Sequence, residues 1–98
     1  MQIEKSDIVV SLNGRDEGKL FYVLEIEGEY SFLADGKGRR VEKPKQKKLK
    51  HIKLERKDLS RVSEKIRAGE KVTNSEIRRS LAEQSAEGRG EKGGMQIG

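Results

Sequence analysis

Ninety-eight residues, 40 % of them charged and 32 % hydrophobic, limit the chain to one domain with a small core and exclude an enzyme fold built around a deep pocket. The absence of cysteine excludes disulfides, thiolate metal sites and a catalytic thiol. The net charge of +5 is spread unevenly: residues 1–36 carry three Lys/Arg against eight Asp/Glu, residues 37–57 eleven against two, and residues 58–98 eight against seven, so the three segments stand at −5, +9 and +1. Positive charge concentrated in 21 residues is the footprint of a polyanion partner, and the acidic first segment confines contact to that stretch and its neighbours.

The charged opening from Met1 to Asp7 leads into no apolar run of signal-peptide length, and nowhere are there eighteen consecutive apolar residues. The expectation is a cytoplasmic protein with no membrane contact. Ile8 to Leu12 and Leu20 to Ile26, rich in β-branched and aromatic side chains, read as two strands. The polar segment Asn13 to Lys19 between them holds Gly14 and Gly18, which allow positive φ in a tight exposed loop carrying Arg15 and Lys19. Alternation puts Ile8, Val10 and Leu12 on the core face of the first strand, and Leu20, Tyr22, Leu24 and Ile26 on that of the second. Phe21 and Val23 make the opposite face apolar as well, so it needs a cover of its own.

Glu27-Gly28-Glu29 is the next turn, and Tyr30 to Ala34 the third strand. Asp35-Gly36, with Gly38 close behind, predicts a hairpin into a fourth strand at about Arg39 to Glu42. Pro44, unable to donate to a ladder, ends that strand or marks an edge. Lys45 to Lys50 is too charged for a core, and Leu49, Ile52 and Leu54 bring the chain back into a fifth strand at about His51 to Leu54. Asp58 is placed to cap a helix from Leu59 to about Ala68, stopped by Gly69, with Leu59, Val62 and Ile66 as its apolar stripe. Thr73-Asn74-Ser75-Glu76 fits a capping box that opens a second helix, about Asn74 to Ser85, whose apolar face is Ile77, Leu81 and Ala82. The first helix is expected to cover Phe21 and Val23. Residues 86–98, with five glycines, are expected to form a disordered tail.

The fold class that follows is mainly β: a five-stranded SH3-like barrel over residues 1–57, a helical extension over 58–85, and the tail. Three segments in order, Gly14-Arg15-Asp16-Glu17-Gly18-Lys19, Ala34-Asp35-Gly36-Lys37 and Val41-Glu42-Lys43-Pro44-Lys45, resemble the KOW motif and flanking turns of small bacterial RNA-binding proteins related to archaeal and eukaryotic large-subunit ribosomal proteins. The resemblance spans roughly residues 3 to 57. The motif commonly has a glycine or small residue before its first aspartate, and here Ser6 stands there. The resemblance implies a KOW barrel whose first loop touches RNA, and ribosomal RNA or the large ribosomal subunit as partner.

The residues expected to carry that contact are Asn13, Gly14, Arg15, Gly18 and Lys19 in the first loop, then Lys37, Arg39, Arg40, Lys43, Lys45, Lys47, Lys48, Lys50, His51 and Lys53. Arg and Lys neutralise backbone phosphates, and such binding weakens steeply with salt. Asp16 is suited equally to bracing the loop and to contacting a ligand. Phe21, Tyr22 and Phe32 are expected in the core rather than as stacking platforms, with Tyr30 the most exposed aromatic. No carboxylate has a partner base or pocket, and the single His51 has no second His or Cys for a metal. The expectation is therefore no enzyme, no cofactor, no metal and no small-molecule substrate. Two other classes remain: a transcription-associated KOW module contacting polymerase, and a peptide-binding adaptor. The adaptor would want an apolar or acidic groove lined by exposed aromatics, whereas this chain has four aromatic residues in all.

Overall fold

The computed structural model describes residues 2–84. Five strands, β1 (Ile8–Ser11), β2 (Leu20–Glu27), β3 (Tyr30–Ala34), β4 (Lys45–Lys48) and β5 (Ile52–Arg56), form one antiparallel sheet in the order β4-β3-β2-β1-β5. A single 3-10 turn, Leu49–His51, joins β4 to β5. Among the described residues the two edge strands do not pair, so the sheet is open and stops short of a closed barrel. Helix α1 (Arg61–Ala68) and a second helix α2 over 74–84 follow. The expected tail, 86–98, lies outside the described residues.

Two apolar clusters occupy the two faces of the sheet. Val9, Phe21, Val23, Leu33 and Ile52 pack on one face, with Ile3, Ile26 and Leu49 against them. Ile8 and Tyr22, on the other face, pack against Val62 and Ile66 of α1, Val72 of the connection, and Ile77 and Leu81 of α2. This reverses the expected assignment of faces. Phe21 and Val23 line the core among the strands, while the Ile8/Tyr22 face receives the helices. Alternation along two strands shows that both faces are apolar, but which one the sheet encloses depends on how distant strands curl round it. Leu12, expected inside, is 47 % exposed because β1 ends at Ser11. Ile26 changes sides because Val23 and Glu25 of β2 face the consecutive residues Leu33 and Phe32 of β3. Leu24 is thus the extra residue of a β-bulge, which inverts the alternation after it. Phe21 and Tyr22 are fully buried and Tyr30 is the most exposed aromatic, as expected, whereas Phe32, expected in the core, is only half-buried and joins neither cluster.

Two boundaries also differ from expectation. The fourth strand starts after Pro44 rather than before it, and 39–44 is a turn segment instead. Proline at the entrance of an edge strand sacrifices no ladder bond, whereas within the strand it would. Helix α1 starts two residues later than expected: Ser60 is its N-cap, accepting from the Ser63 amide, and Leu59 is 82 % exposed rather than part of the stripe. Asp58 has a different task. Its buried carboxylate accepts from the Tyr22 hydroxyl at 2.7 Å, from the Ser60 hydroxyl, and from the Gln84 side-chain amide at 3.0 Å. The Tyr22 hydroxyl also meets Ser80 Oγ of α2 at 2.5 Å, so one phenol ties the sheet to the α1 cap and to α2. A buried hydroxyl and carboxylate are tolerated there because each has partners. The capping box forms as expected: the Glu76 amide donates to Thr73 Oγ1 at 3.1 Å, and the Thr73 amide to Glu76 Oε1 at 2.9 Å.

Candidate nucleic-acid interface

The loop between β1 and β2 closes through its own backbone. The Gly18 amide donates to the Ser11 carbonyl at 2.8 Å, and the Lys19 amide to the Asp16 carbonyl at 2.9 Å. Gly14 and Gly18 sit at φ of 78° and 84°, the left-handed region that a Cβ disfavours. The loop leaves Arg15 and Lys19 projecting as exposed cations. Its tip is anchored across the sheet: Lys47 of β4 donates its ammonium to the Asn13 carbonyl at 3.0 Å.

The hairpin after β3 is built on Asp35, whose Oδ1 accepts from the amides of Lys37 at 2.9 Å and Arg39 at 3.0 Å. This side-chain-closed turn holds Lys37 outward and directs Arg39 back toward the first loop. There the Arg39 guanidinium donates to Asp16 Oδ2 at 3.1 Å, and Lys19 Nζ stands 3.9 Å from the other carboxylate oxygen. Asp16 is thus a brace, and it braces two loops to each other rather than the first loop alone. From α2, Arg78 donates to the Gly36 carbonyl at 2.7 Å and to Ser75 Oγ at 3.1 Å.

Loop, hairpin and helix bound a cleft of about 780 Å³ whose polar rim is Arg15, Lys19, Lys37, Arg39 and Arg78, with Leu20, Leu81 and Ala82 as its apolar lining. Five cations face two carboxylates, Asp16 and Asp35, and both carboxylates are already engaged. The surplus positive charge is what an anion entering the cleft would meet.

The other expected site residues do not converge here. Arg40 flanks a different groove, with Lys5, Leu24 and the α1–α2 connection. Lys50 and Lys53 border a third groove, beside Ile3, Ile26 and Leu49. Lys43 is exposed on the turn before β4, Lys45 is half-buried within β4, and His51 is half-buried in the 3-10 turn. Lys48 stacks its ammonium 5.9 Å from the Tyr30 ring centre. Lys57, part of the same basic run, is spent on Asp7 at 2.9 Å and Glu4 at 3.2 Å, and the hydrogen bond it donates to the Asp7 carboxylate raises its pKa. A run of cations alternates along strands and turns, and so is dealt to several faces.

Arg78 was missed as a site residue. It stands 42 positions from the glycine whose carbonyl it meets, and no local pattern signals such a contact. Among the described residues, no group of three His, Cys, Asp or Glu is arranged to hold a metal, and no helix is long and apolar enough to cross a membrane. Comparison with known protein families and with curated proteins finds no match.

Proposed function

We propose that the protein binds RNA, with structured ribosomal RNA or the large ribosomal subunit as its target, through an SH3-like KOW barrel. The observation that carries this reading is the convergence of Arg15, Lys19, Lys37 and Arg39 from two separate loops on one cleft. The strand order β4-β3-β2-β1-β5 with a 3-10 turn between the edge strands supports the barrel topology. Ser6, where the KOW motif commonly has a glycine or small residue, has φ 79°, a backbone conformation that favours glycine, which supports the motif resemblance at this position.

The mechanism is electrostatic and non-catalytic. Arg15 and Lys37 have no ion pair to a described residue, so their charges are available to backbone phosphates. Lys19 and Arg39, shared with Asp16, set the spacing of the two loops. Shape rather than base identity would be read, as suits folded RNA, and the cell compartment would be the cytoplasm. With the basic run dealt to several faces, the four cations that converge from the two loops set the count at about four phosphates. Affinity then falls by roughly two decades between about 50 and 200 mM salt.

Co-sedimentation with ribosomal particles at low and high salt tests the reading. Comigration with the large subunit at low salt, lost at high salt, is the expected result. Protein that stays at the top of the gradient at every salt overturns the ribosomal target.

A further inference from the structure

We infer that the second helix is part of the RNA-binding surface, with Arg78 supplying a phosphate seat on the wall of the cleft opposite the first loop. The inference rests on the RNA-binding reading above, and it extends the site beyond the segment that resembles a KOW motif.

Three observations carry it. Arg78 lines the same cleft as Arg15, Lys19, Lys37 and Arg39, though it comes from a different element. Its guanidinium is held by two neutral oxygens, the Gly36 carbonyl at 2.7 Å and Ser75 Oγ at 3.1 Å, and among the described residues by no carboxylate. Two bonds leave the other N–H groups of the fork to donate, and the positive charge stays uncompensated. Finally, the helix that presents it is fixed against the hairpin. The Val41 amide donates to Asn74 Oδ1 at 2.8 Å, and Asn74 Nδ2 donates to both Glu42 carboxylate oxygens, at 2.8 and 3.0 Å. An arginine whose rotamer is set before the ligand arrives loses little entropy on binding, and a planar fork suits a phosphate.

The neighbouring residue provides a matched control. Arg79 is exposed on another side of α2, flanking the groove shared with Ser60, Arg61 and Glu83. Arg78→Gln and Arg79→Gln remove the same charge from different sides of α2. Binding to purified large-subunit ribosomal RNA is measured across a salt series, with melting temperature recorded for each variant. Arg78→Gln is expected to weaken binding by about tenfold at low salt and to reduce the salt slope by about 0.7 to 0.9. Arg79→Gln should leave both near the wild-type values.

Should loss of the Gly36 contact unfold Arg78→Gln, Ala82→Glu decides the matter. Ala82 is exposed on the helix and lines the cleft, so the acid is sterically tolerated and places negative charge beside the seat. Reduced affinity in folded Ala82→Glu sustains the inference, and wild-type affinity overturns it. Equal slopes for Arg78→Gln and Arg79→Gln overturn it as well while leaving RNA binding intact. Wild-type protein that binds no ribosomal RNA at any salt overturns the functional reading and this inference with it.

Discussion

The Arg39 guanidinium donates to the Asp16 carboxylate at 3.1 Å, joining the loop after β1 to the hairpin after β3 across the mouth of the basic cleft. The bond holds the two cationic loops at a fixed separation. It also sets a carboxylate, only 8 % exposed, among the charges that would meet phosphate.

Asp16→Asn keeps an oxygen for Arg39 but removes the negative charge. Affinity for RNA should rise several-fold and the salt slope should steepen, because Arg39 and Lys19 then face the ligand uncompensated. Filter binding over a salt series checks this. A fall in affinity would mean that the charge of Asp16 serves loop geometry more than it opposes the ligand.

Gly36→Ala tests the contact between hairpin and helix. Gly36 has φ 79°, and an added Cβ would lie 2.4 Å from the Asn74 carbonyl oxygen and 2.9 Å from Arg78 Cγ. Backbone strain and the clash with backbone act together, so a loss of at least about 2 kcal/mol in urea unfolding is expected. Gly18→Ala, at φ 84° with nothing within 4 Å of the added Cβ, should cost less, since only the conformational penalty remains.

Alkaline unfolding should be governed by Tyr22. Burial, with a smaller contribution from Asp58, pushes the phenol from 10.0 up to about 12. A raised folded-state pKa gives stability that is fully present below pH 10 and lost as pH climbs from 10 to about 12. Tyr22→Phe should cost about 1 to 3 kcal/mol at neutral pH, because Asp58 and Ser80 lose a partner. It should also flatten the urea midpoint across that alkaline window.

Glu76 governs a window at the acid end. The hydrogen bond from Lys65 at 2.6 Å, then the Thr73 amide, lowers its pKa from 4.5 to about 2. A depressed carboxylate contributes stability above pH 4.5 that disappears as pH falls toward 2. Glu76→Gln should lower the melting temperature at neutral pH and remove part of its decline in that acid range, as read by circular dichroism melts at stepped pH.

Local chemistry made several features readable in advance. The glycines of the first loop and the Thr73/Glu76 capping box are decided by residues within a few positions and formed as expected, and the Asp35-Gly36 turn formed too, although the strand expected directly after it did not. Leu59 was misread because spacing alone put it in the helical stripe, while Ser60 took the cap and left Leu59 outside the helix. The first loop's cations were legible because glycines and charge share one short segment, but Arg40, Lys50 and Lys53 were grouped with them only by adjacency in the chain.

By itself the sequence determined four of the five strands, most of the turns, the helix signals and the concentration of positive charge, since each depends on φ/ψ preference, alternation or capping over a few residues. Only the tertiary structure decided which apolar face lies among the strands and which lies under the helices. The alternation was equally apolar on both sides, and the choice was made by contacts such as Tyr22 to Asp58 and Ser80, 36 and 58 residues away. The membership of the cleft was decided in the same way. Arg15, Arg39 and Arg78 meet there because three elements pack together, and packing between distant segments leaves no mark on the local sequence.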